Sequence, residues 1–80
     1  MPVANAKSKV DWYLVNRVKE MRVEKKMSQE ALAAYLGVTR GFIGHIESPK
    51  FPAKYNTTQL NQLAKIFKCS PKDFWPEKPI

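Results

Sequence analysis

The chain has 80 residues and a mass of 9.2 kDa, which suffices for one small domain burying about 60 % of its unfolded surface. With 44 % hydrophobic and 26 % charged residues, three Gly and six Pro, it has a globular composition that excludes a disordered or fibrous chain. Fourteen Lys+Arg against seven Asp+Glu leave a net charge of +7, a surplus suited to a polyanionic partner, nucleic acid and acidic membrane alike. The single cysteine, Cys69, excludes an internal disulfide framework. Met1 to Val10 lacks the apolar stretch of a signal peptide. The longest apolar run, Ala31 to Leu36, is far short of the ~20 residues a membrane span requires. The expectation is a cytoplasmic, basic module.

No stretch alternates as a strand does, whereas helix start and stop signals recur five times. A first helix is predicted from Lys9 to about Lys26, with Ser8 as N-cap and Asp11 completing a capping box. Leu14, Val18, Met21 and the stem of Lys25 form its apolar stripe. Ser28 caps a second helix running to Leu36, with Met27 and Leu32 as its hydrophobic staple and Gly37 as its stop. Thr39 caps a third, about Arg40 to Glu47, stapled by Val38 and Ile43. Pro49 and Pro52 keep Ser48 to Tyr55 out of helix. Asn56 and Gln59 then form the capping box of a fourth helix whose Leu60, Leu63, Ala64 and Phe67 face one way. Ser70, Pro71 and Asp73 start a short fifth helix that Pro76 closes. The expected architecture is all-α, a compact five-helix bundle. Residues 1–8 read as a flexible N-terminal arm, 9–76 as the domain and 77–80 as a C-terminal tail.

The stretch from Met27 to Glu47 carries most of the functional information. Ala33 is small where a following helix must cross, Gly37 permits a tight turn, and Leu32, Leu36, Val38, Ile43 and Ile46 lock the two helices together. That is the arrangement of a helix-turn-helix, whose second helix enters the DNA major groove.

These motifs resemble the phage-repressor (Xre-like) helix-turn-helix family, of lambda-repressor-like fold. Ser28-Gln29-Glu30-Ala31-Leu32-Ala33, Leu36-Gly37-Val38-Thr39-Arg40 and Ile43-Gly44-His45-Ile46-Glu47 carry the resemblance. It extends through Val18, Met21 and Arg22 on one side, and Leu60, Leu63-Ala64 and Ser70 to Phe74 on the other. The resemblance implies a DNA-binding domain, in a family whose members usually act on operators as dimers. Two departures stand out. Glu47-Ser48-Pro49 replaces the family's common Glu-Asn-Gly or Glu-Arg-Gly, and the following loop is longer, with Lys50, Phe51, Lys54 and Tyr55.

The resemblance implies a base contact for Arg40, suited to guanine O6/N7, with a solvated surface arginine as the alternative. Gly41 lets the helix backbone approach the groove; for Gly44, close approach and packing space are equal readings. Phe42 has contact with a thymine methyl or packing against the Pro-rich loop before it. His45, one turn after Gly41, matches a second base-reading position, and the absence of nearby His or Cys argues against a metal role. Gln29 and Thr39 are candidate phosphate contacts, Thr39 also serving as a cap; Ser48, Lys50 and Lys54 are candidate backbone clamps. Arg22 and Glu47 match a family ion pair joining the first and third helices, read as structural. Cys69 reads as a small buried hydrophobe. Trp75 and the tail from Pro76 to Ile80 form a candidate dimer seam.

The expectation is a sequence-specific double-stranded-DNA-binding regulator, a repressor acting as a homodimer by occupying a pseudo-palindromic operator. It has no cofactor and, past the fifth helix, no sensor domain, leaving control to abundance, dimerisation or a partner protein. The alternative is an antitoxin-like module that neutralises a partner and regulates its own promoter. An enzyme is rejected, because no nucleophile–base pairing, metal set or phosphate-cradling glycine loop is present. Membrane binding is rejected because the core requires the helices' apolar faces.

Overall fold

The structure, a computed structural model, describes residues 7–80; the first six residues of the expected N-terminal arm lie outside them. Among the described residues there are four α-helices and no strand: α1 (Lys9–Glu24), α2 (Gln29–Leu36), α3 (Arg40–Glu47) and α4 (Thr57–Phe67). The expected fifth helix is a single 3₁₀ turn, Pro71–Phe74. Ser70 caps it and Pro71 opens it as expected. Pro76, however, drives the residue before it into extended backbone, and Trp75 sits at φ −92°, ψ 148°. Only one turn fits between those two prolines.

Local side-chain chemistry starts every element. Ser8, Ser28, Thr39, Asn56 and Ser70 each accept a hydrogen bond from a backbone N–H of the first turn, and Asp11, Gln59 and Asp73 complete capping boxes. Three helices stop in the same way. After α2 the chain turns left-handed at Gly37 (φ 71°), and Val38 N–H donates back to Ala33 C=O at 3.0 Å. Met27 N–H donates to Arg22 C=O at 2.9 Å and Cys69 N–H to Ala64 C=O at 3.0 Å, closing α1 and α4 by the same device. At those two ends the left-handed residue is a lysine, Lys26 (φ 58°) and Lys68 (φ 56°). The left-handed turn at Lys26 ends α1 at Glu24, and because a non-glycine stop carries little sequence signal the expected helix ran on to about Lys26.

One apolar core joins all the elements. Leu14, Val15 and Val18 of α1 meet Leu32, Ala33 and Leu36 of α2, Ile43 and Ile46 of α3, and Leu60, Leu63, Ala64 and Phe67 of α4. Val15 takes a place in the buried stripe that was expected of Met21, which is half-buried at its rim. Phe74 is completely buried, and its ring meets Phe67 edge-on at 6.3 Å. The 3₁₀ turn thereby packs on both α1 and α4, and Arg17 Nε donates to Asp73 C=O at 3.2 Å. No described helix is long and apolar enough to cross a membrane.

Candidate nucleic-acid interface

Gly37, Val38 and Thr39 alone separate α2 from α3. Ile43 and Ile46 are fully buried and Ala33, nearly so, admits the crossing. Burial of that face leaves Arg40, Gly41 and His45 exposed on the opposite side of α3. The basic end of this surface is thus set by packing.

An ion pair holds α3 at its far end. Arg22 Nε donates to Glu47 Oε2 and its Nη2 to Oε1, both at 3.0 Å, while Nη1 donates to Met27 C=O at 2.7 Å. Gln29 Nε2 donates to the same Glu47 Oε1 at 3.0 Å. Residues of α1, the first turn, α2 and α3 therefore share one junction. The Glu47 side chain is only 5 % exposed and fully countered, so it presents little negative charge toward a phosphate backbone. Tyr55 adjoins this cluster, also buried. Burial and the Glu47 carboxylate push its phenol far above the usual range, and it stays neutral.

The remaining site residues have more specific surroundings than their sequence context indicates. Gln29 was expected to contact phosphate; its side chain is bonded to Glu47, which leaves chiefly the backbone N–H groups at the start of α2 for that role. Thr39 Oγ1 accepts from Phe42 N–H at 3.1 Å, and its own O–H can still donate. Phe42 is half-buried and packs against the core, leaving part of its ring at the surface. A Cβ on Gly41 would meet nothing nearer than Thr39 Oγ1 at 3.9 Å, and one on Gly44 nothing nearer than Gln29 Oε1 at 3.9 Å. Neither glycine is required by packing within the chain.

The loop after α3 follows a defined path. Ser48 Oγ accepts from Lys50 N–H at 3.2 Å. The Phe51 ring stacks on the His45 imidazole with centroids 3.9 Å apart and planes 16° from parallel. Lys50 projects from an exposed position, whereas the Lys54 ammonium pairs with Asp11 at 3.3 Å. Tyr55 then enters the core. Sequence reasoning did not reach the partners that fix this path: Lys7, whose ammonium donates to Ser48 and Phe51 carbonyls, together with Asp11 and Phe51. The Lys7 and Asp11 contacts cross more than forty positions of chain and the Phe51 stack crosses an irregular loop, and no periodicity or cap signal marks either.

Cys69 is half-buried, and burial followed by the Asp73 carboxylate raises its thiol pKa, as fits a packing residue. Among the described residues no three His, Cys, Asp or Glu side chains are grouped as metal ligands.

Two short helices crossed through a glycine turn, the second locked inward by isoleucines and presenting a basic outer side, define a helix-turn-helix DNA-binding module. Residues 15–75 match the profile of the family described as helix-turn-helix domain, and the chain belongs to that family. The Xre-like resemblance of its motifs agrees with that membership. No curated protein sequence matches it. Among solved structures it is similar to the restriction-modification controller protein C.AhdI from Aeromonas hydrophila, with TM-score 0.68 and 25 % identity over 80 % of this chain and 94 % of that one. It is also similar to hydroxypropylphosphonic acid epoxidase from S. wedmorenis, with TM-score 0.71 and 25 % identity over 84 % of this chain but 35 % of that one. The substrate complex of cobalt(II) HppE gives TM-score 0.72 and 25 % identity over 85 % and 37 %. This chain therefore spans little more than a third of the enzyme's length.

Proposed function

We propose that the chain is a sequence-specific double-stranded-DNA-binding regulator of transcription, acting as a repressor by occupying its operator. The carrying observation is the division of α3 into a buried isoleucine face and an exposed face with Arg40, Gly41 and His45. Arg40 reads a guanine edge through two parallel hydrogen bonds, His45 reads a second base one turn on, and Gly41 admits the helix backbone to the groove. The exposed part of Phe42 is available to a thymine methyl. Backbone N–H groups at Gln29, the Thr39 hydroxyl, Ser48, Lys50 and Lys54 contact phosphates and set the register. The near full-length similarity to a controller protein supports the regulatory reading, and the reading assigns the chain no catalytic role.

A homodimer places two α3 helices about 34–36 Å apart in successive major grooves. Trp75, half exposed, stands with Tyr13 over a groove bordered by Arg17, Lys72, Glu20 and Glu77. Charges of both signs around an aromatic centre suit a surface that pairs with itself under two-fold symmetry. The same uncovered face would serve the second reading, a module that neutralises a protein partner and controls its own promoter. Selection of bound duplexes from a random pool tests the proposal. A symmetric site with half-sites one helical turn apart is expected; no enrichment at low ionic strength refutes it.

A further inference from the structure

Lys7 precedes α1 and was expected to belong to a flexible arm, yet it is only 9 % exposed. Its ammonium donates to Ser48 C=O at 2.7 Å, to Phe51 C=O at 2.8 Å and to His45 C=O at 3.4 Å, and lies 4.6 Å from the centre of the Trp12 ring. An ammonium has three N–H donors, and here each has an acceptor. Burial lowers its pKa while the Asp11 carboxylate opposes the shift. The His45 carbonyl lies in the last turn of α3, where the helix dipole favours a cation. Two of the three carbonyls belong to the residues whose rings stack at 3.9 Å on the reading side, His45 and Phe51. The neighbouring residues brace the same joint: Ser8 caps α1 reciprocally with Asp11, and Asp11 holds Lys54 at the other end of the loop.

We propose that Lys7 is a positioning residue for base reading: by holding the carbonyls of His45, Ser48 and Phe51 together, it sets the ring stack that presents the His45 imidazole to DNA. The proposal rests on the base-reading role of His45 given above. Lys7 itself makes no phosphate contact, since its donors are engaged and its ammonium is covered. The consequence is that a residue outside the helix-turn-helix controls what one position of it recognises.

The test uses the whole chain with Lys7→Met, which keeps length and removes charge, Lys7→Arg, which keeps charge but not the compact three-donor head, and Phe51→Ala, which removes the stack directly. Thermal melts establish that each variant is folded. In proton NMR spectra the His45 ring signals are expected to move in Lys7→Met and Lys7→Arg toward the positions they take in Phe51→Ala. In duplex selection all three should lose about fivefold or more in preference at the base pair that His45→Ala relaxes. The preference at the Arg40 pair should remain, and the salt dependence of binding should not change. Unmoved His45 signals in both Lys7 variants would overturn the proposal, as would an intact preference in folded Phe51→Ala. A salt slope reduced by about one counterion would also overturn it, by showing Lys7 to be a phosphate contact. If His45→Ala changes no base preference, the His45 role fails and the proposal fails with it; unaltered preference in the Lys7 variants alone, with His45→Ala relaxed, sinks only the positioning role.

Discussion

Replacing Arg22 with alanine should weaken the fold far more than it alters base preference. The substitution removes two 3.0 Å hydrogen bonds to Glu47 and a 2.7 Å bond to Met27 C=O, leaving the nearly buried Glu47 carboxylate with Gln29 as its partner. Breaking a buried ion pair from one side costs about 3–5 kcal/mol, because the stranded charge has lost its hydration and not regained a counterion. For a domain of this size total stability is roughly 4–12 kcal/mol, so about a quarter or more of it is at stake. The fall in melting temperature should exceed about 12 °C. Urea denaturation of Arg22→Ala, of the singles Arg22→Met and Glu47→Met, and of the double variant Arg22→Met/Glu47→Met provides the assay. The double variant should recover most of the loss, since replacing both charges by apolar side chains of similar length is often close to neutral. A loss below about 1 kcal/mol in Arg22→Ala, or a double variant as unstable as the sum of the singles, would refute the assignment of a tightly coupled buried pair.

Arg40→Ala should relax preference at one base pair per half-site by about 1–3 kcal/mol in a duplex selection; equal weakening on every sequence would return Arg40 to the phosphates. Lys50→Ala should lower the slope of log affinity against log salt by about one, and Lys54→Ala by less because Asp11 already neutralises part of its charge. An unchanged slope in Lys50→Ala removes that residue from the interface. Gly41→Ala meets no obstruction within the chain and replaces a poor helix former, so it should stabilise the fold by about 1 kcal/mol while weakening DNA binding. Tighter binding would show that the backbone does not approach the groove. The Asp11 carboxyl is disfavoured as an ion by burial, but hydrogen bonds from Ser8 and Lys54, with the Lys54 charge, outweigh this and hold its pKa below the usual 3.8. Its contribution is therefore complete above that ordinary, unfolded-state value and is lost as pH falls through the lower folded-state value. Asp11→Asn should destabilise by about 1 kcal/mol at neutral pH, and the difference should shrink as pH falls through the folded-state value; a difference that does not shrink in acid would place its role elsewhere.

What could be read from the amino-acid order is what depends on neighbours a few positions apart. Ser8, Ser28, Thr39, Asn56 and Ser70 cap because each accepts from an N–H two or three residues on. The bounds of α3 and its inward isoleucines follow from spacing alone. Lys26 could not be foreseen as a stop, since the left-handed conformation favours glycine and a lysine there is tolerated only because the Met27-to-Arg22 bond closes the turn. The short final turn depended on the reach of Pro76. The interface was less legible than the fold for the same reason: Arg40 and Gly41 follow from helix position, but the engagement of Gln29 by Glu47 and of Lys54 by Asp11 depends on chain folding back from afar, and that of His45 by Phe51 on the path of an irregular loop.

At eight residues, α3 is too short to persist as a helix in water by itself. The surface that meets the bases therefore exists only while the rest of the domain is assembled around it. Such a molecule has no half-competent form: as it melts, recognition should vanish in one step with the fold, and duplex of the preferred sequence should in turn protect the folded chain against heat.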